Sequence, residues 1–195
     1  MSQTSDRVRW TTADLDLLPD NGTRYEIIDG ELFMTRAPHW KHQKAASRMG
    51  TALDTWSEQT GLGETVQAPG IIFSDADNVI PDLVWVSHDR LATGLDEAGH
   101  LTIAPDLVVE VLSAGAENER RECLQHGKAE RQVKLKLYSL RGVQEYWILD
   151  WQVQQVEVYR RQQAMLQLVA TLRTTDELTS PLLPGFCYPV SRLFA

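Results

Sequence analysis

The sequence predicts one α/β domain, a mixed sheet flanked by helices with an additional C-terminal β-hairpin. Three observations carry this. Two apolar runs, Val79–Val86 and Pro105–Ser113, are rich in β-branched residues and bounded by turn residues, the pattern of strands buried on both faces. Two longer stretches, His39–Gln59 and about Glu117–Leu140, have helical periodicity. A polar-faced hairpin pattern, Gln154–Tyr159 and Met165–Leu172 joined across Arg161-Gln162-Gln163, follows the last buried run.

In chain order, residues 1–9 read as a flexible tail. Thr11 or Thr12 caps a short helix running to Leu18, and Pro19-Asp20-Asn21-Gly22 ends it. Tyr25–Met34 is a hairpin turning at Asp29-Gly30. In the His39–Gln59 helix, Ala46, Met49, Leu53 and Trp56 form the core stripe, and Gly61-Leu62-Gly63 is the exit. Glu64–Phe73 reads as a strand broken at Pro69-Gly70, and Ser74–Asn78 as a polar turn. Ser87–Gly99 is a connection with a helical trace near Arg90-Leu91. Ser113–Ala116 is a loop before the second long helix, with Gly127 a candidate break and Val133, Leu137 and Leu140 its core stripe. At 100° per residue, Lys134 and Arg141 flank one side of that stripe and Lys136 the other; spacing does not choose between the lysines. Val143–Asp150 is a further buried strand. Thr179–Phe186, with Pro181, Pro184 and Gly185, reads as an irregular or edge segment. The whole 1–195 is one domain with a core over about 25–150.

Each of the two apolar runs is interrupted by an acid, Asp82 in the first and Glu110 in the second. A buried, unpaired carboxylate costs several kcal/mol or gives up its charge. One shared divalent cation resolves both, and Mg²⁺ accepts hard oxygen ligands from one or two carboxylates. The plain structural alternative is that each acid bonds a neighbouring loop. Glu26 and Glu31 sit on either side of the hairpin turn, where they either project together or are ordinary surface acids. His42 and Gln43 occupy the first turns of the long helix, where a lone His is more often structural or exposed than catalytic.

Composition narrows the function. A net charge of −8 and a pI near 5.1 argue against a general nucleic-acid coat. Basic charge is concentrated between Glu117 and Arg141, with seven Lys or Arg against four Glu. No apolar run approaches a membrane span, and the polar N-terminus lacks a signal pattern, so the expected location is cytoplasmic, with no membrane partner. Cys123 and Cys187 are expected to be reduced, and no zinc spacing is present.

The order Glu26, Asp82, Glu110, Lys134 resembles the PD-(D/E)xK nuclease superfamily and, within it, the Uma-two family of restriction endonuclease-like proteins. The resembling stretches are Tyr25–Leu32, the helix carrying His42-Gln43, Ile80–Val86, Pro105–Ser113 and Lys134–Asp150. The resemblance implies a restriction-endonuclease-like core. It implies Asp82 and Glu110 as ligands of Mg²⁺, or Mn²⁺, with the Val111 carbonyl as third ligand. It implies catalytic roles for Asp82, Glu110, Lys134 and the upstream acid Glu26, and less directly Glu31. Superfamily members usually carry a lysine two residues after the acid; here that position is Leu112. The Uma-two pattern places the lysine four before a tyrosine, and Lys134 precedes Tyr138, which favours it over Lys136. Residues 122–130 read as an insertion that bears on the register of Lys134. DNA is the implied substrate, and a homodimer the implied assembly.

Two readings follow: a Mg²⁺-dependent endodeoxyribonuclease, or a catalytically inactive module on the same fold that binds nucleic acid or protein. A metal hydrolase acting on another phosphoester shares the same chemistry.

Overall fold

The computed structural model describes residues 8–35, 37–113 and 122–195, with 122–130 described by backbone alone. Helix α1 (Thr12–Leu15) is shorter than the sequence suggests; the reciprocal Thr11–Asp14 capping box starts it. The hairpin β1 (Arg24–Ile28) and β2 (Glu31–Thr35) turns at Asp29-Gly30, both with positive φ. Helix α2 (Trp40–Thr60) is capped by the His39 ring, which accepts from the Lys41 amide, and stops at Gly61 in the left-handed conformation.

The Glu64–Phe73 run divides at Ala68-Pro69-Gly70 into β3 (Gly63–Gln67) and β4 (Ile71–Ser74), which enter different sheets. Asp77–Val79 is not a turn but a short strand, β5. The expected strand Val79–Val86 also divides, because Pro81 cannot donate to a ladder; β6 is Leu83–Ser87. After α3 (His88–Leu91) comes β7 (Leu107–Val111), buried at every residue. Helix α4 (Glu122–Arg141) runs unbroken through Gly127, so the 122–130 segment is helical. The remaining elements are β8 (Glu145–Asp150), β9 (Gln155–Gln162), β10 (Met165–Arg173), β11 (Glu177–Ser180), β12 (Leu183–Pro189) and α5 (Val190–Phe194). The Thr179–Phe186 region takes the edge form of its expectation, as part of a two-stranded sheet with a register shift at Thr179/Ser180.

The main sheet has the order β10-β9-β8-β7-β6-β3 and is mixed, β7 and β8 being parallel and the other pairs antiparallel. A second, four-stranded sheet has the order β2-β1-β5-β4. Alternation along the main strands sorts side chains into two cores. Leu83, Trp85, Leu107, Val109, Trp147 and Leu149 pack with α2 and α5. Val84, Val86, Val108, Tyr146 and Ile148 pack with α4 and the second sheet, represented by Ile28, Ile71 and Val79. Asp82 and Glu110 share the parity of this second set.

The stripe on α4 is rotated from the sequence expectation. Lys134, Leu137 and Tyr138 are buried, whereas Leu140 is 73% exposed. Periodicity scoring excludes lysine from a core stripe, so it shifts the predicted face by one step. In the predicted tail, residues 1–7 lie outside the described residues, while Arg9 hydrogen-bonds Asp29.

Candidate active site

Leu83 pairs with Val109 across β6 and β7, so one step further along the ladder brings Asp82 opposite Glu110. β1 of the second sheet contributes Glu26, and α4 contributes Lys134. All four are buried: Glu26 at 1% exposure, Lys134 at 5%, Asp82 and Glu110 at 8%. Lys134 Nζ lies 3.0 Å from Glu110 Oε1 and 3.1 Å from Glu26 Oε2. The helical 122–130 segment therefore delivers Lys134 to the acids, while Lys136 stays exposed. Glu31 is exposed on the hairpin.

Each carboxylate is held by named donors. Glu26 Oε1 accepts from the Ile80 amide at 2.8 Å. Asp82 Oδ2 accepts from the Val111 amide at 2.8 Å, and Oδ1 from Arg24, whose guanidinium also reaches the Ile80 carbonyl. His42 Nε2 stands 3.3 Å from Asp82 Oδ2. Glu110 Oε1 accepts from the Tyr138 hydroxyl at 3.0 Å as well as from Lys134. Among the described contacts no hydrogen bond falls on Glu110 Oε2.

Burial and charge perturb the acids in opposite directions. Burial pushes the Glu110 carboxyl up to about 8; the Lys134 ammonium opposes this, and the Asp82 and Glu26 charges add to it. Burial also pushes Asp82 up, but the His42 hydrogen bond and charge, the Val111 amide and Arg24 outweigh it and hold Asp82 below the usual carboxylate range. Burial, then the Glu110 charge, raises the Tyr138 phenol well above its ordinary value.

Three acids share Lys134 and Arg24 as their cations, and the charges of Asp82 and Glu26 add to the larger effect of burial on Glu110. The donor set is hard oxygen, as Mg²⁺ requires. Among the described residues no group of three or more His, Cys, Asp or Glu side chains is arranged to hold a metal ion by itself.

Sequence reading did not single out Arg24, left His42 without a role, and used Tyr138 only as the marker for Lys134. The signal for His42 was present: positions 42, 45, 46, 49, 53 and 56 fall on one helical face, so His42 begins the buried stripe rather than lying beside it. Its Nδ1 is buried without a hydrogen-bond partner. Two other buried acids are structural. Asp106 accepts from Arg90 and the Ser87 amide, and Glu145 from Arg160, Trp147 and Ser180. Cys187 is free and exposed; the Cys123 side chain lies outside the described residues.

This fold, with acids from two sheets meeting a helix-borne lysine, defines a restriction-endonuclease-like α/β protein. The architecture is shared with a crystal structure from Anabaena variabilis, titled a "putative nuclease belonging to DUF820". The two align with a TM-score of 0.67 at 22% identity, covering 94% of this chain and 97% of the other. A family model, Uma2, described as "Putative restriction endonuclease", matches residues 12–191. The chain belongs to the Uma2 family. No curated protein matches it. Among the described residues, no helix is long and apolar enough to cross a membrane.

Proposed function

We propose that the chain is a Mg²⁺-dependent endodeoxyribonuclease that hydrolyses DNA phosphodiesters in the cytoplasm, with Mn²⁺ able to substitute. One observation carries the reading: buried Glu26 and Glu110, from separate segments, meet the buried Lys134, and buried Asp82 lies across the β6–β7 register from Glu110. Asp82, Glu110 and the Val111 carbonyl would hold the cation. Bound there, it would polarise the scissile phosphate and lower the pKa of an attacking water. Lys134 is placed to balance charge that develops on the phosphate. Glu26 keeps that ammonium oriented, and Arg24 and His42 fix the Asp82 carboxylate. Exposed Met165, Leu168 and Val169 on the edge strand β10 support a homodimer.

The test is plasmid nicking in Mg²⁺, Mn²⁺ and EDTA, with Glu110→Ala beside the parent. Metal-dependent nicking that Glu110→Ala loses supports the assignment; equal cutting by the variant refutes it.

One observation favours the inactive-module reading. Every site acid already has a cationic or donor partner: Lys134 for Glu26 and Glu110, Arg24 and His42 for Asp82. Calorimetry with Mg²⁺ or Mn²⁺ separates the two readings, since a cluster neutralised by its own side chains gives no heat of binding.

A further inference from the structure

The chain is acidic overall, yet the start of α2 is basic and aromatic. Trp40 is 78% exposed, the one tryptophan of six left open to solvent. Lys41 and Lys44 are exposed on the same two turns, and the first turn holds no acid. The His39 ring stacks on Trp151, with centroids 4.7 Å apart and planes 7° from parallel. Lys41 Nζ lies 5.7 Å from the centroid of the same indole. Cations without a compensating acid at the positive end of a helix cost stability. An exposed indole gains nothing from packing. A flat, anionic partner removes both penalties.

This surface borders the candidate active site. Trp151 Nε1 donates to the carbonyl of Leu112, one residue past Val111. His42, two residues after Trp40, contacts Asp82.

We propose that Trp40, Lys41, Lys44 and the His39–Trp151 stack form a platform that grips an unpaired stretch of DNA beside the Glu26–Asp82–Glu110–Lys134 site. Trp40 stacks on a base, and the two lysines meet flanking phosphates. Duplex DNA presents its phosphates to the lysines but keeps its base faces stacked inside, where Trp40 does not reach them. The platform therefore selects single strands, gaps or frayed ends. The proposal rests on the nuclease reading of the neighbouring site.

The test is fluorescence anisotropy with the full chain in EDTA, comparing a short labelled single strand with the blunt duplex of the same sequence. Trp40→Ala should weaken single-strand binding about tenfold while leaving duplex binding and thermal stability unchanged, and Trp40→Phe should restore most of the loss. Lys41→Gln with Lys44→Gln should reduce the log–log salt slope by about 1.4, at about 0.7 for each phosphate lost. Unchanged single-strand affinity in Trp40→Ala overturns the platform. Equal weakening on duplex also overturns it. Nicking assays on the same samples separate the two levels. If the parent cuts but Trp40→Ala binds single strands normally, only the platform fails. If the parent neither cuts nor binds DNA, the nuclease reading fails and the platform with it.

Discussion

Lys134 and Tyr138, one helical turn apart on α4, donate to the same oxygen, Oε1 of Glu110, each at 3.0 Å. The i, i+4 spacing makes this possible, since both side chains leave the helix on one face. The helix thus delivers a charge and a neutral donor together, and anchors the acid from one side while its Oε2 takes no described hydrogen bond.

Removing the charge has the larger effect. Lys134→Ala leaves Glu26 and Glu110 buried without their shared cation and should destabilise the metal-free chain by about 3–5 kcal/mol in urea denaturation. Lys136→Ala, at an exposed position, should change stability by no more than about 0.5 kcal/mol. Equal effects would contradict the placement of Lys134.

Removing the hydroxyl is milder. Tyr138→Phe deletes one donor from a buried acceptor that keeps Lys134, so a loss of about 1–2 kcal/mol is expected. The ring stays packed against Tyr146, so the near-UV circular dichroism should be retained.

Glu110 makes metal-free stability depend on pH. Its folded-state pKa near 8 lies above the ordinary value of 4.5. Its contribution is fully present below about pH 4.5 and is lost as pH rises towards 8. In EDTA the parent should therefore lose stability relative to Glu110→Gln across that window. Urea melts at pH 5 and pH 8.5 check this, and parallel behaviour of the two proteins would refute it. If Glu110 binds the metal, Mg²⁺ at pH 8.5 should raise the melting temperature of the parent and not of the variant.

Asp82 behaves in the opposite sense. Burial raises it, but His42, Val111 and Arg24 hold it below the usual carboxylate range. Its contribution is present above about pH 4 and is lost as pH falls through the lowered folded value. His42→Ala removes the strongest of the opposing partners, so it should lower stability at pH 7 and reduce the loss on acidification. His42→Gln, which retains a donor, should fall between the two. Acid titration followed by tryptophan fluorescence measures this.

Glu145 provides a contrast. It is as buried as the site acids, but Arg160, Trp147 and Ser180 satisfy it within the core. Glu145→Ala should cost about 3 kcal/mol and leave the metal-binding isotherm of the surviving folded fraction unchanged.

The site acids were legible because Asp82 and Glu110 interrupt apolar runs, and a buried charge is conspicuous in a one-dimensional pattern. Glu26 and Lys134 needed the family resemblance, since an acid in a hairpin and a lysine in a charged helix look ordinary. Leu140 was misread for a related reason: a core-facing lysine is invisible to a hydrophobic stripe, so the apolar residue nearest in phase took its place. The split at Pro81 was marked by the proline itself, but the second sheet was not legible, because strand partners far apart in sequence, such as Ile27 and Asn78, leave no local mark. Arg24 belongs to the same class, since its value lies in what it reaches.

Glu26 belongs to the four-stranded sheet, Glu110 to the six-stranded one, and Asp82 to the link between them. Neither sheet alone holds the full set of acids, and α4 must be seated before Lys134 can join them. Assembly of the cluster is thus a coincidence detector for completed folding: a half-formed chain carries scattered carboxylates and no cluster.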